Sequence, residues 1–345
     1  MVPPEFMQRA LELAKLGLGN VSPNPMVGCV VTHDDIIIGE GYHMKFGEAH
    51  AEVNAINAVK NKSLLPTSTV YITLEPCSHF GKTPPCVDLL IKEKVKKVVI
   101  CNPDPFHKVN GTGIEKLKNA GTEVEIGLLS DQGEELNKRF FVFQKQKRPY
   151  IILKWAETAN GFIAEKDGTP VGISGDYAQI HSHKWRAEED AIMVGSNTVL
   201  NDNPSLTVRH WHGRNPIRIV LFSNIDPTEN YSVLDQTVKT IVFNNNQINN
   251  HGNTEFLKLP ENGLPGILQA LYDRNIQSLI VEGGPRLHQV FIDQGIFDEI
   301  RIFKSKNVFL ENGLYSAKLH KNIIEKENVD LKTDFLRIFT KQFQP

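Results

Sequence analysis

The chain has 345 residues, and its 38 lysines and arginines against 40 acidic residues leave a formal net charge of -2. That length exceeds one domain of ordinary size, so two are expected. Balanced charge excludes a general nucleic-acid binder, and no apolar run is long enough to span a bilayer, so neither nucleic acid nor membrane is an expected partner. The opening MVPPEFMQRALELAK is amphipathic and lacks the apolar centre of a signal peptide. Of four cysteines, Cys29 and Cys101 lie in apolar strand-like runs, which is no disulfide framework; a reducing cytoplasm fits.

Residues 4–18 put Phe6, Ala10, Leu11, Ala14 and Leu18 on one face, which predicts a helix ended by Gly19-Asn20. Ser22-Pro23-Asn24-Pro25 reads as a rigid loop into a strand over 27–31, and residues 36–38 return as a hairpin. His50 opens a helix whose buried side is Ala51, Val53, Ala55, Ile56 and Ala58. A strand over 70–74 delivers Glu75-Pro76-Cys77. Cys86 begins the next helix, followed by a strand over 97–100, one more helix–strand unit to residue 127, and a closing helix over 134–146. The basic, polar KQKRP at 145–149 marks a boundary, giving domains of residues 1–146 and 147–345. The first is a three-layer α/β domain.

The second domain starts with a strand over 150–156. Arg186 closes a helix that leads into a buried strand ending at Gly195, and residues 198–204 read as a loop. Strands follow at 217–222, 240–243 and 278–281, with helices at 266–274 and 286–294, so this half is also α/β. Trp155, Trp185 and Trp211 read as packing residues, and the asparagine-rich stretch from Asn244 as a surface loop.

One constellation carries chemistry. His50 supplies an imidazole, Cys77 and Cys86 supply thiolates, and a tetrahedral zinc accepts that set when its fourth position is left for water. Glu52, two residues after the histidine, has the type and spacing to move protons there without ligating the metal. H-x-E with P-C and a second cysteine is the pattern of zinc deaminases, though eight residues separate these cysteines instead of two. A structural zinc site would need a fourth ligand, for which His79 is the one candidate. Asn24, between two prolines, reads equally as a turn residue or as a fixed amide facing a heterocycle. Gly283-Gly284 between a strand and a helix is a weak phosphate signal, no G-x-G-x-x-G is present, and Arg186 and Arg209 look like ordinary surface arginines.

Taken together, SPNPMVGCV, GYHMKFGEAHAE and TLEPCSHFGKTPPC resemble the deaminase half of the bifunctional riboflavin-biosynthesis deaminase/reductase family. AIMVGSNTVLNDNPSLTVR and VEGGPRL resemble its second half, so the resemblance covers almost the whole chain. It implies a cytidine-deaminase-like domain followed by a dihydrofolate-reductase-like domain, with zinc and NADPH as cofactors. The implied reactions are hydrolytic deamination of 2,5-diamino-6-(5-phosphoribosylamino)pyrimidin-4-one, then reduction of the product's ribosyl group to ribityl. It implies Glu52 as the catalytic residue, His50, Cys77 and Cys86 as zinc ligands, and Asn24, His79 and Lys82 against the deaminase substrate. In the second domain Ala156, Gly172, Thr198, Asp202, Gly284 and Pro285 fall at NADP positions, and Pro170, Arg186, Leu206, Arg209 and Glu282 at phosphoribosyl-substrate positions. A homo-oligomer, dimer or tetramer, is implied as well. The chain departs from the family pattern at Thr158-Ala159-Asn160-Gly161 and at Pro170-Val171-Gly172, where backbone amides of residues 172–175 are left to replace lost side-chain contacts. Two rivals stand beside this reading: a nucleobase or nucleoside deaminase with an inactive C-terminal domain, and a zinc-bearing binding protein.

Overall fold

The computed structural model describes residues 3–80, 84–106, 111–246 and 249–342. The chain divides into two compact units, Met1–Lys147 and Arg148–Pro345.

The first unit opens with α1 (Pro4–Lys15), whose proline at the first turn has its φ preset for a helix and whose Glu5 and Lys15 suit the two dipole ends. The helix stops three residues short of Leu18, in a run of turns. β1 (Gly28–His33) and β2 (Ile36–Tyr42) form the expected hairpin, with Asp34 and Asp35 both left-handed, as a tight two-residue turn requires. Then come α2 (Ala51–Ala58), β3 (Thr69–Leu74), α3 (Cys86–Lys92), β4 (Lys97–Asn102), α4 (Thr112–Asn119), β5 (Glu123–Ile126), α5 (Ser130–Leu136) and α6 (Lys138–Gln146). The sheet order is β2-β1-β3-β4-β5, antiparallel around β1 and parallel from β3 to β5. Alternation along the strands splits the core in two. Cys29, Val31, Val70, Ile72, Val98 and Ile100 pack against α2, α3 and α4, while Val30, Tyr71, Val99 and Cys101 pack against α1. Three layers result.

The single closing helix expected over 134–146 is instead two helices. Asn137 breaks it, because its side chain is committed elsewhere: Nδ2 donates to Met26 O at 2.8 Å and Oδ1 accepts from Met26 N at 2.9 Å.

The second unit runs β6 (Tyr150–Glu157), β7 (Phe162–Ala164), α7 (Asp176–Glu188), β8 (Ala191–Gly195), α8 (Ser196–Asp202), β9 (Ile217–Leu221), β10 (Thr240–Asn244), β11 (Thr254–Lys258), α9 (Leu264–Tyr272), β12 (Ser278–Val281), α10 (Pro285–Asp293), β13 (Glu299–Ser305), β14 (Leu314–Tyr315), β15 (Ile323–Asp330) and β16 (Asp334–Lys341). Nine strands form one sheet in the order β11-β10-β9-β8-β12-β6-β13-β16-β15, parallel from β11 to β13 and antiparallel beyond. One face carries the large core of Ile151, Leu153, Met193, Ile219 and Leu279 beneath α9 and α10. The stretch expected as a loop at 198–204 is α8 as far as Asp202, closed by left-handed Asn203. Trp155 and Trp185 pack as expected, but Trp211 is 38% exposed.

Candidate functional site

In the first unit, β3 ends at Leu74 and hands the chain to Glu75, whose buried carboxylate accepts the backbone N–H of Asp104, Gly111, Gly113 and Ile114 at 3.0–3.3 Å. A carboxylate at the start of α4 suits the positive end of that helix. Gly113 has no room for a side chain, since a Cβ would stand 2.5 Å from Pro76 O. These contacts pin Cys77 in place. His50 is the residue before α2 and Cys86 is the first residue of α3, so two members of the cluster stand at helix N-termini as expected. Cys77 lies in the loop after β3, but its Sγ accepts the Cys86 backbone N–H at 3.3 Å.

His50 Nδ1 stands 3.6 Å from Cys77 Sγ and 3.3 Å from Cys86 Sγ, and the three donor atoms lie within 4.8 Å of one another. A nitrogen and a sulfur on one tetrahedral zinc stand about 3.5 Å apart, given bonds near 2.0 and 2.3 Å. The donor set therefore fits zinc in both chemistry and spacing. Hydrogen bonding from Cys86 draws the Cys77 thiol down to about 4, whereas the same contact, with burial, pushes Cys86 up. His79, in the loop beyond Cys77, is exposed with its ring 6.2 Å from Phe106, outside the donor cluster. Lys82 lies outside the described residues.

Glu52 is 3% exposed, and burial pushes its carboxyl up to about 7, with Cys77 adding to the shift. A carboxyl that exchanges its proton near neutrality beside the donor cluster is suited to general acid–base work. Asn24 joins the cluster through His43: Asn24 Nδ2 is 3.1 Å from His43 Nε2, and the His43 ring stands edge-on to His50 at 5.4 Å. Burial lowers the His43 pKa. Sequence reasoning passed over His43, although it sits inside the GYH stretch; a histidine after a strand carries no signal until its neighbours are known.

In the second unit the parallel strands β8, β12 and β6 lie side by side, and several candidates sit at or just past their C-terminal ends. Gly195 ends β8, Ala156 is near the end of β6, and Gly284-Pro285 opens α10 after β12. A Cβ built on Gly172, Gly195 or Gly284 meets nothing within 4 Å. Open backbone at strand ends, with a helix N-terminus behind it, fits the phosphates of a dinucleotide. Thr198 and Asp202 ride on α8 at the same end of the sheet. Pro170 and Gly172 are exposed, in a segment tied down by the Ala164–Pro170 bridge. Of the backbone amides expected to compensate at 172–175, that of Gly175 already donates to Asp334 Oδ2 at 3.1 Å. Asn160 is engaged locally, its Nδ2 donating to Leu310 O at 2.7 Å.

Arg186 and Glu282 are no surface residues. The guanidinium grips the carboxylate with two bonds of 3.0 and 2.7 Å, and Lys154 approaches the same carboxylate at 3.4 Å. Arg186 Nη1 also donates to Thr207 O at 3.3 Å, and Arg209 Nη1 to Thr207 Oγ1 at 3.1 Å, so the turn after left-handed Leu206 links the two arginines. Burial alone would raise the Glu282 pKa, but Arg186 and Lys154 outweigh it and hold the carboxyl well below its usual range. Two cations against one anion leave a net positive cluster, the charge that an anionic group would seek. Lys154 escaped notice because it lies in an apolar strand; a lone charge in the run YIILKWA was the available signal.

A zinc-type deaminase unit followed by an α/β unit with a dinucleotide-compatible strand edge is a two-activity enzyme. Residues 3–102 match the cytidine and deoxycytidylate deaminase zinc-binding region, and residues 149–305 match the RibD C-terminal domain. The chain is 38% identical to the riboflavin biosynthesis protein RibD of Aquifex aeolicus, over 99% of each chain. It is 39% identical to that of Bacillus amyloliquefaciens, over 86% of this chain and 83% of the other. A solved structure from Thermotoga maritima, a diaminohydroxyphosphoribosylaminopyrimidine deaminase/5-amino-6-(5-phosphoribosylamino)uracil reductase, superposes with a TM-score of 0.89 at 37% identity, over 98% of both chains. This chain belongs to the RibD family. Because the relatives span both halves, a deaminase joined to an unrelated domain is not favoured. Among the described residues, no helix is long and apolar enough to cross a membrane.

Proposed function

We infer that the chain acts in riboflavin biosynthesis as a bifunctional deaminase and reductase that uses zinc and NADPH. Residues 1–146 deaminate 2,5-diamino-6-(5-phosphoribosylamino)pyrimidin-4-one, and residues 147–345 reduce the ribosyl group of the resulting uracil to ribityl. The observation that carries the reading is the His50, Cys77 and Cys86 cluster at zinc spacing with buried Glu52 beside it.

In the deaminase, His50, Cys77 and Cys86 would hold zinc, which when bound would supply Lewis acidity towards water. Glu52 carries two protons in turn, the first from the attacking water to the ring nitrogen and the second from the newly added hydroxyl to the departing amino group, a role that suits a carboxyl poised near 7. Asn24 and His79 orient the pyrimidine, and Lys82 meets the phosphate. In the reductase, NADPH supplies the reducing equivalents. Ala156, Gly172, Thr198, Asp202, Gly284 and Pro285 hold the cofactor, while Arg186, Arg209, Leu206, Pro170 and Glu282 hold the phosphoribosyl substrate. Glu282 acts there by aligning Arg186 through two hydrogen bonds. The protein works in the cytoplasm as a homo-oligomer, without nucleic acid.

The test is a coupled assay with the diaminopyrimidine ribotide as the sole substrate. Ammonia release followed by NADPH oxidation supports the two-step reading. Ammonia without NADPH loss refutes the reductase assignment, and no ammonia refutes the deaminase assignment.

A further inference from the structure

We propose that His43 is a positioning residue that sets the hydrogen-bonding polarity of Asn24, leaving Asn24 Oδ1 as a fixed acceptor that selects a heterocycle edge presenting an N–H donor. This rests on the deaminase reading of the first unit and adds to it what the site distinguishes.

The polarity is set at a carbonyl. His43 Nδ1 lies 3.1 Å from Ala49 O, and a carbonyl oxygen can only accept, so Nδ1 carries the ring proton. With Nδ1 committed to that carbonyl, the other ring nitrogen can meet an amide N–H only as an acceptor. Nε2 is therefore a bare acceptor. It faces Asn24 Nδ2 at 3.1 Å, and an amide nitrogen can only donate. If the amide were turned over, two acceptors would meet at that distance. The chain Ala49 O, His43, Asn24 thus has one self-consistent sense, and it leaves Oδ1 facing away from His43.

Among the described residues, no donor takes up Asn24 Oδ1. The backbone beneath it is held by Pro23 and Pro25 on either side and by the Asn24 N–H donating to Val21 O at 2.8 Å. The His43 ring that holds the amide stands 5.4 Å from the ring of His50, on the same side of the unit as the metal-donor cluster. A free asparagine reads donors and acceptors alike by flipping its amide; one locked by a histidine tautomer does not. The ligand class follows: a ring edge with an amino group or ring N–H is accepted, and an edge offering a carbonyl at that place meets lone-pair repulsion.

Two measurements on the full-length, zinc-loaded protein test this. In protein labelled with ¹⁵N-histidine, with the His43 signal assigned by its loss in His43→Gln, the ring should show a protonated Nδ1 and a bare Nε2 at neutral pH. A protonated Nε2 overturns the proposal whatever the variants do. In ammonia-release kinetics, His43→Leu should lose about 10- to 100-fold in kcat/KM, mainly through KM, as expected when a polar contact is lost in a desolvated site. His43→Gln, whose Oε1 reaches the place of Nε2, should recover most of that loss. Unchanged kinetics in His43→Leu, or a collapse of kcat together with loss of zinc, overturns it. If the wild type releases no ammonia, the deaminase reading itself has failed, and the ring tautomer still decides the polarity of Asn24.

Discussion

Removing the charge of Glu282 should unfold the second unit at markedly lower denaturant. The side chains of Arg186, Lys154 and Glu282 are only 12%, 11% and 9% exposed. With the carboxylate in place, two cations share one anion; in Glu282→Gln they face each other unpaired. Breaking a buried ion pair from one side costs about 3–5 kcal/mol. With a urea m-value of about 2–3 kcal/mol/M, the midpoint should fall by roughly 1–2 M. All three tryptophans, Trp155, Trp185 and Trp211, lie in the second unit, so their fluorescence follows that unit alone. The double variant Glu282→Gln/Lys154→Met should recover part of the loss, because it removes one of the stranded charges. The wild-type carboxyl titrates well below its ordinary value, so its contribution is present above the unfolded pKa and lost only as pH falls through the depressed folded one. It should persist across pH 5–8. A midpoint shift under about 0.3 M, or strict additivity in the double variant, would refute the buried-triad argument.

Other expectations follow from the same structure. Glu52→Gln should keep its zinc, because Glu52 is outside the donor set, yet lose about 10²–10⁴-fold in ammonia release; metal analysis beside the assay checks both. Cys77→Ser should instead lose zinc along with activity, while NADPH oxidation on the supplied uracil intermediate continues. Gly28→Ala would put a Cβ 1.9 Å from Ala10 O, forcing α1 off β1 at a cost of about 2–3 kcal/mol, read as a lower temperature for loss of ammonia release. Burial pushes the His288 pKa down to about 4, so its contribution is complete above about pH 6.5 and is lost as pH falls towards 4. That amounts to about 3 kcal/mol at most. The drop in tryptophan-monitored stability between pH 7.5 and 4.5 should therefore be smaller in His288→Leu than in the wild type; an equal drop would exclude His288 as a cause.

The metal cluster was legible in the sequence because its chemistry is local. His50 and Glu52 share one turn of chain, and Cys77 and Cys86 each follow proline at a strand end or a helix start, so residue type and spacing carry the signal. The hairpin at Asp34-Asp35 and the strands around Cys29 and Cys101 were legible for the same reason, as short continuous apolar runs bounded by turn residues, which strands buried on both faces produce. Periodicity could not show that Asn137 breaks the closing helix, since the partner that draws its side chain away is Met26, more than a hundred residues earlier. Nor could it find β15. β15 is mostly exposed and polar, so only its pairing with β16 defines it. Arg186 and Arg209 looked like surface arginines because charge alone says nothing of burial; the fold brings Lys154 on β6 and Glu282 just past β12 against α7 and turns Arg186 into half of a buried pair. His43 is the sharpest case. Its role depends on one carbonyl and one amide, Ala49 O and Asn24 Nδ2, and hydrogen-bond direction exists only once three separated residues share a few ångströms. The sequence determined which chemistry the chain can perform, and tertiary structure decided which partners hold each group to it.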